Sequence, residues 1–256
     1  MKLALSVAAS VATLLSFSPL QAQAASLYVS TSNGEVGSVD ETTGVYTSLI
    51  GGTPTFTDVA LDPDDQLWGI TFSRLYSIDL ESETTTNIGS LGASLNGLGF
   101  SDDGTLYGTG GSGFYSINTG TGAASLISSI SGFSSSGDIV YDADLDLFWA
   151  TSGGDSLWSI TKEGIANKIG NIGFRNVYGL AFGDGNTLYG YTANRQQIAL
   201  DLETGAGTFV QSISNLNRSI WGSASDPSDG SSAKTPEPSA LIGLGALGLL
   251  AFRKRR

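Results

Sequence analysis

Short apolar runs separated by polar turns recur along this chain at a near-constant spacing. One line of them is Leu27-Tyr28-Val29-Ser30-Thr31, Leu67-Trp68-Gly69-Ile70-Thr71, Leu106-Tyr107-Gly108-Thr109-Gly110, Leu147-Phe148-Trp149-Ala150-Thr151 and Leu188-Tyr189-Gly190-Tyr191-Thr192. Their starts advance by 40, 39, 41 and 41 residues. Runs this short, rich in aromatic and β-branched residues and bounded by turn formers, predict strands. A second run follows each, as in Leu75-Tyr76-Ser77-Ile78-Asp79 and Leu157-Trp158-Ser159-Ile160-Thr161, and closes in a turn such as Glu41-Thr42-Thr43-Gly44. A third run comes next, for example Thr84 to Ser90 and Ile165 to Ile172. A further run precedes the first line: Asp58-Val59-Ala60-Leu61, Gly97-Leu98-Gly99-Phe100, Asp138-Ile139-Val140-Tyr141 and Gly179-Leu180-Ala181-Phe182.

Each unit therefore holds four strands in about 40 residues, the period and strand count of a β-propeller blade. The first unit lacks its opening strand, and the last consists of an opening strand alone, Ser219-Ile220-Trp221-Gly222-Ser223. The two fragments complement each other. The expected fold is all-β: a propeller of five four-stranded blades, closed by pairing the last strand into the first blade, which leaves no open edge along the ring. An open β-solenoid is the rival, and it would need capping units at its ends. The expected organisation is a signal peptide over 1–24, the propeller over 25–226, a linker over 227–234 and a C-terminal signal over 235–256, with one helix in each of the two signals.

Composition narrows the chemistry. The 256 residues include 35 Gly but neither Cys nor His. That excludes disulfides, thiolate metal sites, cysteine nucleophiles and the serine–histidine–carboxylate arrangement. Outside the two ends, residues 25–234 carry 7 positive and 23 negative side chains, a net of −16. A surface of that sign repels phosphate backbones, so nucleic acid is not an expected partner.

The two ends carry processing signals. Lys2, the apolar stretch Leu3 to Phe17, Pro19 and the small residues Ala22 and Ala24 read as a secretory signal with its cleavage site. At the other end, Pro236, Glu237 and Pro238 stand in a rigid polar segment. The uncharged run Ala240 to Phe252 follows, then the basic cluster Arg253, Lys254, Arg255 and Arg256, which holds the cytoplasmic side. The 13-residue run reaches about 20 Å as a helix, whereas a full span takes about 20 residues. So short a run suits a transient sorting signal better than a permanent anchor.

This order of parts resembles the PEP-CTERM sorting tail of Gram-negative bacteria. The resemblance implies processing by an exosortase-like membrane enzyme, passage across the inner membrane, a cell-surface or extracellular location and a setting of exopolysaccharide and biofilm matrix.

Candidate sites in the body are of two kinds. Trp68, Tyr107 and Tyr189 recur at equivalent positions; they read either as aromatics facing a ligand such as a polysaccharide or as packing between blades. Asp142, Asp144 and Asp146 alternate in a loop and could offer oxygen ligands to calcium, although the Gly and late Glu of a complete calcium loop are missing. Turn formation is the competing reading for these acids. No other cofactor is expected. The leading expectation is a binding or scaffold module without enzymatic activity. A glycan-acting hydrolase or lyase using propeller carboxylates is the alternative.

Overall fold

The computed structural model describes residues 27–183 and 185–229. The proposed helices, the cleavage site at Ala22 and Ala24, the Pro236-Glu237-Pro238 segment and the terminal basic cluster lie outside them.

The described chain forms five four-stranded antiparallel sheets arranged as blades. Blade 1 contains β1 (Leu27–Thr31), β2 (Glu35–Val39) and β3 (Tyr46–Gly51). Blade 2 follows with β4 (Asp58–Leu61), β5 (Leu67–Ile70), β6 (Arg74–Asp79) and β7 (Thr84–Ser90). Blade 3 is β8 (Gly97–Phe100), β9 (Leu106–Gly110), β10 (Gly113–Ile117) and β11 (Ala124–Ser129). Blade 4 is β12 (Ser135–Asp142), β13 (Leu147–Ser152), β14 (Ser156–Thr161) and β15 (Ala166–Asn171). Blade 5 is β16 (Val177–Gly183), β17 (Thr187–Thr192), β18 (Gln196–Leu200) and β19 (Gly207–Ser212). The last strand, β20 (Ile220–Ala224), pairs antiparallel with β1 and completes blade 1, which closes the ring. The five-bladed propeller read from the repeat is thus the observed fold.

The hydrophobic core is divided among the five blade interfaces. Tyr107 and Phe114 of blade 3 meet Tyr141 and Phe148 of blade 4, with ring centroids 4.9 Å apart for Tyr107–Phe148 and 5.9 Å for Phe114–Phe148. Such aromatic contacts add about 0.5–1.5 kcal/mol each beyond area burial. At the other interfaces Gly69, Gly108 and Gly190 occur where a side chain would strike a ring or methyl group of the core, such as Phe56 beside Gly69.

Every blade bends its outermost strand with a bulge at the same place. The pairing skips Leu49, Ile88, Ile127, Ile169 and Val210, one aliphatic residue in each outer strand. A bulge twists the strand and re-aims the extra side chain. Ile88, Ile127 and Ile169 pack in this way against the neighbouring interface cores.

Turns at the opposite end of the third strands share another device. Asp40, Asp79, Asn118 and Asp201 each accept two backbone N–H groups from the turn that follows. This is the local hydrogen bonding that makes Asp and Asn favoured turn residues.

Candidate functional site

The innermost strands β4, β8, β12, β16 and β20 surround the axis. Their pairing registers place Asp58, Gly97, Asp138, Gly179 and Gly222 at one level, each just before the residue paired with Gly69, Gly108, Ala150, Gly190 and Val29 of the neighbouring strand in turn. The ring has room for two side chains only. A Cβ on Gly222 would collide with Asp58 Oδ1, and one on Gly179 would come within 2.6 Å of the Ser223 hydroxyl.

Asp58 and Asp138 occupy that space. Asp58 Oδ2 accepts the Leu98 amide at 2.7 Å, and Oδ1 accepts the Val59 amide at 2.9 Å. Asp138 Oδ2 accepts the Leu180 amide at 2.7 Å and both the amide and the hydroxyl of Ser223 at 3.1 Å. Both carboxyls meet β20 at adjacent residues, Asp58 beside Gly222 and Asp138 at Ser223, so ionisation of both would place two like charges close together at the axis. Burial pushes both well above the usual carboxylate range, and for Asp58 the adjacent Asp138 charge adds to it.

Above this floor opens a funnel of about 300 Å³, lined by Thr57, Phe72, Asn96, Ser136, Gly137, Tyr178 and Trp221. Thr57, Asn96, Gly137, Tyr178 and Trp221 each precede the axial ring residue of their own blade, so one position per blade builds the wall. In three blades the inner strand bulges here. The pairing shifts between Ser135 and Ile139, between Val177 and Gly179, and between Ser30 and Thr31, opposite Trp221. Bulging takes Tyr178 and Trp221 out of the regular ladder, which re-aims their rings. Phe72 comes from the turn between β5 and β6 and is 56 % exposed, a large apolar side chain held in water at the rim. The Tyr178 hydroxyl donates to Asn176 Oδ1 at 3.2 Å, and Asn96 Nδ2 donates to the Ser135 carbonyl at 3.2 Å. The lining contains no charged side chain.

Below the floor lies a second, tighter space lined by apolar side chains of the inner strands and by Ser225 and Pro227. The chain thus runs along β20 from the funnel, through the axial ring, to the opposite face.

The residues singled out from the sequence lie elsewhere. Trp68, Tyr107 and Tyr189 stand on the second strands and pack between blades; none of the three lines the funnel. Trp68 donates its indole N–H to Asp62 Oδ2 at 2.9 Å, and Tyr107 stacks on Phe114 at 5.3 Å. Asp142 is buried and caps its turn through Asp144 N and Leu145 N while accepting the Trp149 indole N–H. Asp146 pairs with Lys162 at 2.6 Å and accepts the Tyr141 hydroxyl. Asp144 Oδ2 accepts Asn186 Nδ2 at 3.4 Å. Among the described residues no three acidic side chains converge as a metal site would need.

The chain is similar to several solved structures. A structural genomics protein of unknown function from Bacteroides thetaiotaomicron is 15 % identical, with a TM-score of 0.55 over 81 % of this chain and 66 % of its own. TolB from Acinetobacter baumannii is 17 % identical, with a TM-score of 0.49 over 73 % of this chain and 53 % of its own. The extracellular domain of a hybrid two-component system from B. thetaiotaomicron is 20 % identical, with a TM-score of 0.44 over 77 % of this chain and 28 % of its own. The chain spans less than two thirds of each, and identities this low concern the fold alone. No curated protein matches the sequence. Residues 234–256 match the PEP-CTERM protein-sorting motif, which implies export and membrane anchoring before processing. The chain is therefore a five-bladed propeller over its described residues, followed at residues 234–256 by a PEP-CTERM protein-sorting motif, which implies processing by an exosortase-type enzyme.

Proposed function

We propose that this protein is a surface or matrix binding module that holds the end of an uncharged glycan in its axial funnel. The composition of the funnel wall carries this reading. Trp221, Tyr178 and Phe72 offer aromatic faces, Asn96, Ser136 and Thr57 offer polar groups, and no charge is present. Sugars combine apolar ring faces with hydroxyls, so they suit a concave site of mixed aromatic and polar lining. A volume of about 300 Å³ lies at the small end of ligand sites and fits a chain end, not a chain laid lengthwise. The negative surface disfavours anionic polymers.

The geometry favours binding over hydrolysis. Cleavage of a glycosidic bond uses two carboxyl groups about 5–5.5 Å apart in retaining enzymes and farther apart in inverting ones. Asp58 and Asp138, the two acids of the axial ring, are 0 % and 1 % exposed, so neither is open to a substrate in the funnel. The position of the sorting motif supports display. β20 runs from the funnel through the axial ring toward Ser225 and Pro227 on the opposite face, and the sorting motif at residues 234–256 follows later in the chain, an order that supports a tether away from the funnel mouth.

A screen of neutral and anionic oligosaccharides against the protein, read by tryptophan fluorescence, tests this. The expected result is a saturable change with a neutral glycan that Trp221→Ala abolishes. Release of shortened products would instead establish an enzyme.

A further inference from the structure

Two side chains touch all five inner strands. Asp58 belongs to β4, accepts the Leu98 amide on β8 and fills the space beside Gly222 on β20. Asp138 belongs to β12, accepts the Leu180 amide on β16 and binds Ser223 on β20 twice. Asp138 Oδ2 takes three donors, while its Oδ1 is buried and no N–H or hydroxyl of another residue reaches it. A hydrogen carried between the two acids would satisfy this orphaned oxygen.

Nothing else neutralises the pair. The five inner strands carry no Lys or Arg, and their only other titratable side chains are Tyr141, Asp142 and Tyr178. Two ionised carboxylates in contact inside a dry ring repel strongly.

We propose that one proton shared by Asp58 and Asp138 latches the closing strand β20 into the ring, and that loss of this proton loosens β20 together with the funnel wall it carries. Trp221 sits one residue from Gly222 and two from Ser223, so the funnel and the latch share a strand. The latch rests on the ring geometry and does not depend on which ligand the funnel holds.

The direction of the pH dependence follows from linkage. The unfolded carboxyls give up their protons near pH 4, whereas the folded pair keeps one to higher pH. The latch therefore contributes fully below about pH 4 and progressively less as pH rises toward the folded value.

The test uses the full chain in detergent, without ligand, followed by thermal melting and tryptophan fluorescence from about pH 5 to pH 9. The wild-type Tm is expected to fall across this range with a shift in emission. In Asp138→Asn the amide oxygen keeps the three donors and the NH₂ donates permanently to Asp58. That variant is expected to melt about 4 °C above wild type at the alkaline end and to lose most of the dependence. Parallel profiles for the two proteins would overturn the proposal. Infrared spectroscopy of the wild type decides the matter even if the variant fails to fold. The carbonyl stretch of a protonated carboxylic acid is expected at neutral pH, and its absence would refute the shared proton. A stabilisation by added sodium or calcium that Asp138→Asn removes would put a cation in its place and equally overturn it.

Discussion

Trp149 donates its indole N–H to Asp142 Oδ2 at 2.9 Å, tying the second strand of blade 4 to the turn that leaves its first. Trp68 and Asp62 repeat the bond in blade 2 at the same distance. In both turns the other carboxylate oxygen accepts two backbone amides. Asp142, which the sequence offers as a calcium ligand, thereby serves as a turn brace, as Asp62 does in blade 2.

Asp142→Ala removes the partner of one indole and two amides. Leaving buried donors unsatisfied costs about 1–3 kcal/mol, so the Tm is expected to drop by roughly 3–10 °C in a domain of this size. Millimolar calcium or a chelator is expected to leave the wild-type Tm unchanged. A calcium-dependent rise lost in Asp142→Ala would return these acids to the role of ligands.

The exposed turns set the acid side of the stability profile. Backbone N–H groups hold Asp40, Asp79 and Asp201 below the usual carboxylate range. Their contribution is present above the unfolded value near pH 4 and is lost as pH falls through the lowered folded values. Asn118 makes the same contacts in blade 3 without a charge. The triple variant Asp40→Asn, Asp79→Asn, Asp201→Asn should therefore keep its fold and show a shallower decline of Tm below pH 4. An unchanged acid limb would assign the decline to other groups.

Ring closure depends on β20. A chain ending at Arg218 leaves β1 with an unpaired edge at the axis and strips the Ser223 donors from Asp138. Exposed edges template association, so this truncation is expected to aggregate. Size-exclusion chromatography reads the outcome, and a monomer that melts like wild type would show that closure contributes little.

How much of this was legible in the sequence depends on what recurs. The strand lines, the 40-residue period and the composite first blade are repetitive because every blade must pack on its neighbour, and packing demands similar side chains at Trp68, Tyr107 and Tyr189. A search for recurrence finds these interface residues. The funnel wall is the reverse case: Thr57, Asn96, Gly137, Tyr178 and Trp221 share a position but not a chemistry, so no pattern marks them. The signal that could have found them is the single position where five similar units differ most. The aliphatic bulges were hidden for another reason. Ile88, Ile127 and Ile169 continue an apparently regular strand, and only the pairing with the next strand reveals the skipped residue. The Asp58–Asp138 contact joins residues far apart in sequence and depends on three glycines leaving room at the axis, which a linear reading does not combine.

Phe72 offers the least perturbing probe of the site. It is exposed on a turn, so Phe72→Ser should change stability by no more than about 0.5 kcal/mol. If its ring flanks the bound sugar, affinity should still fall about tenfold, the equivalent of 1.4 kcal/mol. Circular dichroism melts beside binding isotherms separate the two effects.

The most direct test is calorimetric titration of the strongest neutral oligosaccharide ligand into four proteins: wild type, Trp221→Ala, Phe72→Ser and Trp68→Phe. A glycan-end site in the funnel predicts binding lost in Trp221→Ala, weakened in Phe72→Ser and kept in Trp68→Phe. Affinity that survives Trp221→Ala and Phe72→Ser but disappears in a folded Trp68→Phe would contradict it and move recognition to the blade interfaces.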